Sequence, residues 1–164
     1  MTQPDINLSY AVLSAFCLAR NYIENGSKVG VVNFSDININ LLPVYEKQKV
    51  FETLIIYQGG GTTLHMEDFL KYIETANLKE RQDTDYIIIT DAGIHNLEAL
   101  LNNFIKIKGR ITFLWIKSGE SFKERFKIIK ESLPSNVTFV EIDDAKDMAK
   151  IAVGKAFRQY AEPY

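Results

Sequence analysis

The run Tyr86-Ile87-Ile88-Ile89-Thr90 constrains the fold more than any other stretch, because three consecutive isoleucines leave the segment no polar face to turn toward water. A strand of this kind is buried on both sides, and that burial requires helices above and below it. Comparable short apolar runs occur at Lys28 to Ser35, Ile111 to Ile116 and Val137 to Ile142, with helical stretches between them. Strand and helix repeating at this spacing predict βαβ units. The expected fold is therefore α/β: a doubly wound, mostly parallel sheet with helices on both faces.

Local signals set the element order. Leu8 to Asn25 is apolar at most positions and is followed by Gly26, a helix stop, so a helix buried on much of its circumference is expected there. Ile37-Asn38-Ile39-Asn40 alternates strictly, which predicts a half-exposed, antiparallel edge strand after the strand at Lys28 to Ser35. A helix is expected from Pro43 to about Ile56 and another from near Leu64, separated by Gln58-Gly59-Gly60-Gly61-Thr62-Thr63. Asn96 is expected to cap a helix carrying Leu97, Leu100, Leu101, Phe104 and Ile105. Helices at Glu120 to Leu133 and Ala145 to Tyr160 complete the pattern.

Composition narrows the function. With 46% hydrophobic and 24% charged residues in 164, the chain has the makings of one globular domain, residues 1–164, rather than a disordered segment. A net charge of -2 removes non-specific attraction to nucleic acid or anionic lipid from the leading ideas. The apolar run from Tyr10 to Ala19 is stopped by Arg20, short of the roughly 20 residues a bilayer needs. The opening Met1 to Asp5 lacks the order of a secretory signal, and the single Cys17 cannot close an intrachain disulfide; the cytoplasm is the expected compartment.

In an open parallel sheet, ligands bind beyond the carboxyl ends of the strands. Three loops leave or return to such ends: Asn33-Phe34-Ser35-Asp36, Gly59-Gly60-Gly61-Thr62-Thr63-Leu64 and Thr90-Asp91-Ala92-Gly93-Ile94-His95-Asn96. Each feature also has a plainer reading. The glycines suit a turn, an Asp at a strand end can cap a turn, and His65 and His95 suit solvated loops. With no Cys or third His at ligand spacing, zinc is not expected.

Taken in order, these loops resemble those of the von Willebrand factor A domain family. The match lies in Lys28-Val29-Gly30-Val31-Val32-Asn33-Phe34-Ser35-Asp36, in Gly60-Gly61-Thr62 and in Thr90-Asp91, with Ala92 standing between the acid and Gly93. The resemblance implies a non-enzymatic protein–protein interaction module with a metal ion-dependent adhesion site. Thr62 and Asp91 would be ligands to Mg2+ or Mn2+, and Ser35, Asp36, Gly61, Thr63 and His95 would lie around them or at the partner surface. Magnesium accepts a few hard oxygens and keeps waters, so an acidic residue of a partner protein would complete the shell.

The family's first motif, Asp-x-Ser-x-Ser after a first strand, has only Asp5-Ile6-Asn7-Leu8-Ser9 as a candidate here, with Asn7 in place of the middle Ser and no apolar strand before it. Met1 to Asn7 is polar and contains Pro4, unlike a central strand. The domain is thus expected to be incomplete at its N-terminus, its missing strand lying upstream or coming from another polypeptide. The alternatives are a metal-independent structural subunit with a decayed site, and a phosphate- or nucleotide-handling enzyme on a Rossmann-like sheet. The enzyme reading lacks a Gly-x-x-x-x-Gly-Lys-Ser/Thr loop, a Gly-x-Gly-x-x-Gly turn after a strand and a Gly-x-Ser-x-Gly elbow.

Overall fold

The structure is a computed structural model that describes residues 6–56, 63–90, 96–116, 130–131, 133–144, 147, 150–151 and 154. The chain begins with α1 (Ile6–Glu24), which ends where Gly26 takes φ 82°. There Gly26 N donates to Ile23 O at 3.0 Å and Ser27 N to Tyr22 O at 2.9 Å, the paired bonds that satisfy a helix's last carbonyls. The next elements are β1 (Val29–Phe34) and β2 (Asn38–Val44), which pair antiparallel through a short turn closed by Ser35 N donating to Ile37 O. Then come α2 (Lys47–Leu54) and α3 (Met66–Thr75). The C-terminus of α3 repeats the Gly26 solution with Asn77 at φ 56° and Leu78 N bonded to Ile73 O.

The second half carries β3 (Asp85–Thr90), α4 (Leu97–Phe104), β4 (Arg110–Ile116) and β5 (Val137–Ile142). These strands form a parallel sheet in the order β3-β4-β5, with Asp85 opposite Arg110 and Ile111 opposite Val137. The mixed α/β architecture and the antiparallel β2 agree with expectation. Most of the helices expected at 120–133 and 145–160 lie outside the described residues.

Three expectations need correction. The strands do not form one sheet: β1-β2 and β3-β4-β5 are separate ladders, because no described strand lies between β1 and β3 to join them. β2 does not stop before Pro43 but runs through it, and α2 starts later, at Lys47. The ladder slips between Val29↔Val44 and Val31↔Leu41, which places an extra residue on β2 where Pro43 sits. A bulge on an edge strand is one of the few sheet positions that tolerates a residue without an N–H. The third correction concerns the Asn96 cap and is described with the rim below.

Both ladders are clad by common helices. On one face Phe69, Tyr72 and Ile73 of α3 join Leu97, Leu100, Leu101 and Phe104 of α4 over Tyr86, Ile88, Ile111 and Phe113, and Val32 and Phe34 of β1 pack against the same cluster. Phe104 lies 5.7 Å from Phe113, and Phe113 stacks on Phe139 at 4.6 Å between ring centroids. On the other face α1 buries Leu18 with Leu114, Val140 and Ile142, and Ala19 with Val31 and Val50.

Tyr72 joins α3 to the hairpin by donating its hydroxyl to Leu41 O at 2.8 Å. This approach depends on Gly30, where a Cβ would meet that hydroxyl at 2.0 Å. Gly30→Ala should therefore destabilise the fold by about 1 to 3 kcal/mol in urea unfolding.

Tyr86, by contrast, buries a hydroxyl that finds no partner among the described residues. Tyr72→Phe should cost about 1 kcal/mol, while Tyr86→Phe should be neutral or stabilising. Burial pushes both phenols up to about 12. An unfolded tyrosine titrates near 10, so the stability tied to both protons is whole below about pH 10 and falls as pH rises toward 12. Alkaline unfolding followed by circular dichroism should show that loss shrink in the Tyr72→Phe, Tyr86→Phe double variant.

Candidate functional site at the carboxyl ends of the strands

Side chains hold the ends of β1 and β3 in a common frame. Beyond the carboxyl end of β1, the Asp36 carbonyl accepts a hydrogen bond from His65 Nε2 at 2.7 Å, which fixes the proton on that nitrogen. His65 precedes α3, and the neighbouring Leu64 carbonyl accepts from Asn96 Nδ2 at 2.9 Å, beyond the carboxyl end of β3. The chain of contacts Asp36, His65, Leu64, Asn96 thus crosses the rim from one ladder to the other. Leu64 anchors it, being 2% exposed and part of the main core.

Asn33 secures the same rim from the other side. It sits in the apolar run of β1 and donates its amide to Thr53 O at 3.1 Å and Ile56 O at 2.9 Å, so that the last turn of α2 is fastened to the strand end. The opposite ends of the strands are tied differently. Tyr22 of α1 donates to Asp85 Oδ2 at 2.8 Å, and Arg110 Nε bonds Asp85 Oδ1 at 2.7 Å. Ser27 N bonds the Tyr22 carbonyl just ahead of β1, so the end of α1 links the amino ends of β1 and β3.

Of the residues singled out in sequence, Ser35, Asp36 and Thr63 are described. Ser35 is buried, with its N–H closing the hairpin turn on Ile37; Asp36 is exposed; Thr63 is half-buried beside Leu64. Thr62, Gly61, Asp91 and His95 lie outside the described residues. Among the described residues no group of three or more His, Cys, Asp or Glu side chains could hold a metal ion. Asp36 contributes an exposed carboxylate to the described rim, and Asp143 and Asp144 are exposed just beyond β5.

Asn96 corrects an expectation. It occupies the position before α4, yet its side chain makes no capping bond, its amide being committed to Leu64 O. His65, expected to be a solvated loop residue, is instead a cross-rim donor. Asn33 was not expected to matter, although a polar amide inside Val31-Val32-Asn33-Phe34 is the signal that marks it. No helix among the described residues is long and apolar enough to cross a membrane. No family model matches this chain, and no curated protein matches it either.

His65→Ala removes the bond to the Asp36 carbonyl and should loosen the rim while leaving the core intact. The expected outcome is faster amide hydrogen exchange at Ser35 to Ile37, with global stability reduced by no more than about 1 kcal/mol.

Proposed function

We propose that this chain is a non-enzymatic protein–protein interaction module of the von Willebrand factor A type, whose binding face is the rim at the carboxyl ends of β1 and β3. The observation that carries the reading is the bridge from Asp36 through His65 and Leu64 to Asn96, which ties the residue after the β1 turn to the residues that precede α3 and α4. A rigid rim loses little conformational freedom when a partner docks. Ile37, Ile55 and Ile56 add apolar surface near that rim: Ile37 is 63% exposed in the turn after β1, and the last two follow the α2 end that Asn33 holds. Exposed apolar side chains beside a fixed polar rim suit contact with another protein.

In this reading Thr62 and Asp91 are the residues that would hold Mg2+ or Mn2+, and an acidic residue of the partner would be the remaining ligand. A bound ion would supply a positive centre for that carboxylate. The second reading is a metal-independent module using the same face, in a cytoplasmic setting. In that reading the exposed apolar side chains Ile37, Ile55 and Ile56 would carry the contact without an ion.

Titration calorimetry with MgCl2 and MnCl2 separates the two. If Thr62 and Asp91 hold an ion, the wild-type chain should give a saturable heat that Asp91→Ala abolishes with no change in the unfolding midpoint. Heat that is equal in both proteins, or absent from both, would leave the metal-independent reading.

A further inference from the structure

We propose that Asn25 is a site of spontaneous covalent modification: it loses its side-chain amide through a succinimide formed with Gly26, at a rate set by opening of the end of α1, and the acid so formed weakens that end. The site lies where α1 meets the amino ends of the strands, away from the rim, and does not depend on the rim reading.

Asn25-Gly26 is the one Asn-Gly pair in the sequence. Such a pair is chemically labile because glycine carries no Cβ to hinder the approach of its backbone nitrogen to the neighbouring carboxamide. In the first step Gly26 N gives up its proton and bonds Asn25 Cγ, the Cγ–Nδ2 bond breaks, and ammonia leaves carrying that proton. Water then opens the ring at either carbonyl and leaves aspartate or isoaspartate. Solvent reaches the pair: Asn25 and Gly26 are both exposed, and beyond its chain neighbours nothing lies within 4 Å of where a Cβ on Gly26 would stand.

The fold holds both reacting groups back. Gly26 N donates to Ile23 O at 3.0 Å, and Asn25 Nδ2 donates to Asn21 O at 2.8 Å, which anchors the carboxamide to the preceding turn. Two further bonds keep that turn closed, Ser27 N to Tyr22 O at 2.9 Å and the Tyr22 hydroxyl to Asp85 Oδ2 at 2.8 Å. Ring closure needs the Gly26 and Asn25 bonds broken together, and fraying of the last turn of α1 breaks both.

The product does not fit the place it is made. A carboxylate at position 25 cannot donate to Asn21 O, and it stands beside Glu24 at the carbonyl end of a helix, where negative charge is disfavoured. Isoaspartate also lengthens the backbone just ahead of β1.

The test incubates the purified chain at mildly alkaline pH, both folded and urea-unfolded, and reads residue 25 by peptide mapping with enzymatic methylation of isoaspartate. The expected rate in the folded chain is slower by about tenfold or more. Across wild type, Tyr22→Phe and wild type in urea below the unfolding transition, the rate should rise in step with amide hydrogen exchange at Gly26. Asn25→Gln, which closes its larger ring far more slowly, should lose the signal.

Equal rates in the folded and unfolded chains, or exchange at Gly26 that rises without the rate, would overturn control by the α1 end. A signal that survives in Asn25→Gln, or no isoaspartate at residue 25 of the unfolded chain, would overturn the site itself. Asn25→Asp reads the consequence: exchange at Gly26 and Ser27 should quicken and the unfolding midpoint fall, and a variant matching wild type in both would overturn that part.

Discussion

Everything in this molecule depends on α1 meeting two sheets at once. Leu18 faces the β4–β5 side and Ala19, the next residue, faces the hairpin, so adjacent positions on one helix turn serve different clusters. That division works because the helix is apolar around much of its circumference, and because Ser14, fully buried, keeps the contact surface small at its centre. Tyr22 then fixes the helix lengthwise through Asp85. Without α1 the hairpin would lose the helix that packs on both it and the β4–β5 side, and a two-stranded ribbon has little stability alone.

The opposite face is held by aromatic packing instead. Phe69, Phe104, Phe113 and Phe139 form a continuous series of ring contacts from α3 to β5, with Tyr86 beside Phe69. The large apolar area of these rings lies under α3 and α4, and it explains why β3 to β5 form the better-buried part of the chain. Polar groups mark the limits of that core. The Tyr72 hydroxyl is satisfied at the hairpin, whereas the Tyr86 hydroxyl is buried without a partner among the described residues.

Much of this architecture was legible from residue pattern. The Val137–Ile142 strand has the bounds expected of it, and the strands at Val29, Asp85 and Arg110 differ by a residue or so, because continuous apolar runs between turn signals leave few alternatives. The extent of β2 was not legible, since Pro43 reads as a strand terminator unless its edge position and bulge are known. Nor were the roles of His65, Asn33 and Asn96. Each donates a side-chain hydrogen bond to a carbonyl 20 to 32 residues away in sequence, and such a bond exists only once the tertiary fold has brought the two together. Which loop residues approach one another at Thr62 and Asp91 rests on parts of the chain outside the described residues.

The edges of the two ladders differ in how they are protected, and this bears on how the protein behaves in concentrated solution. β2 carries Pro43 and a bulge, which blunt its outer edge against pairing with a neighbour. β3 has neither device at Ile87 to Ile89, and of these side chains Ile87 and Ile89 are only half-buried. A segment of this kind, where its edge is uncovered, is a template for strand addition and favours self-association as a protein is concentrated. Colloidal stability and the pairing of β3 are in this way two expressions of how that edge is covered.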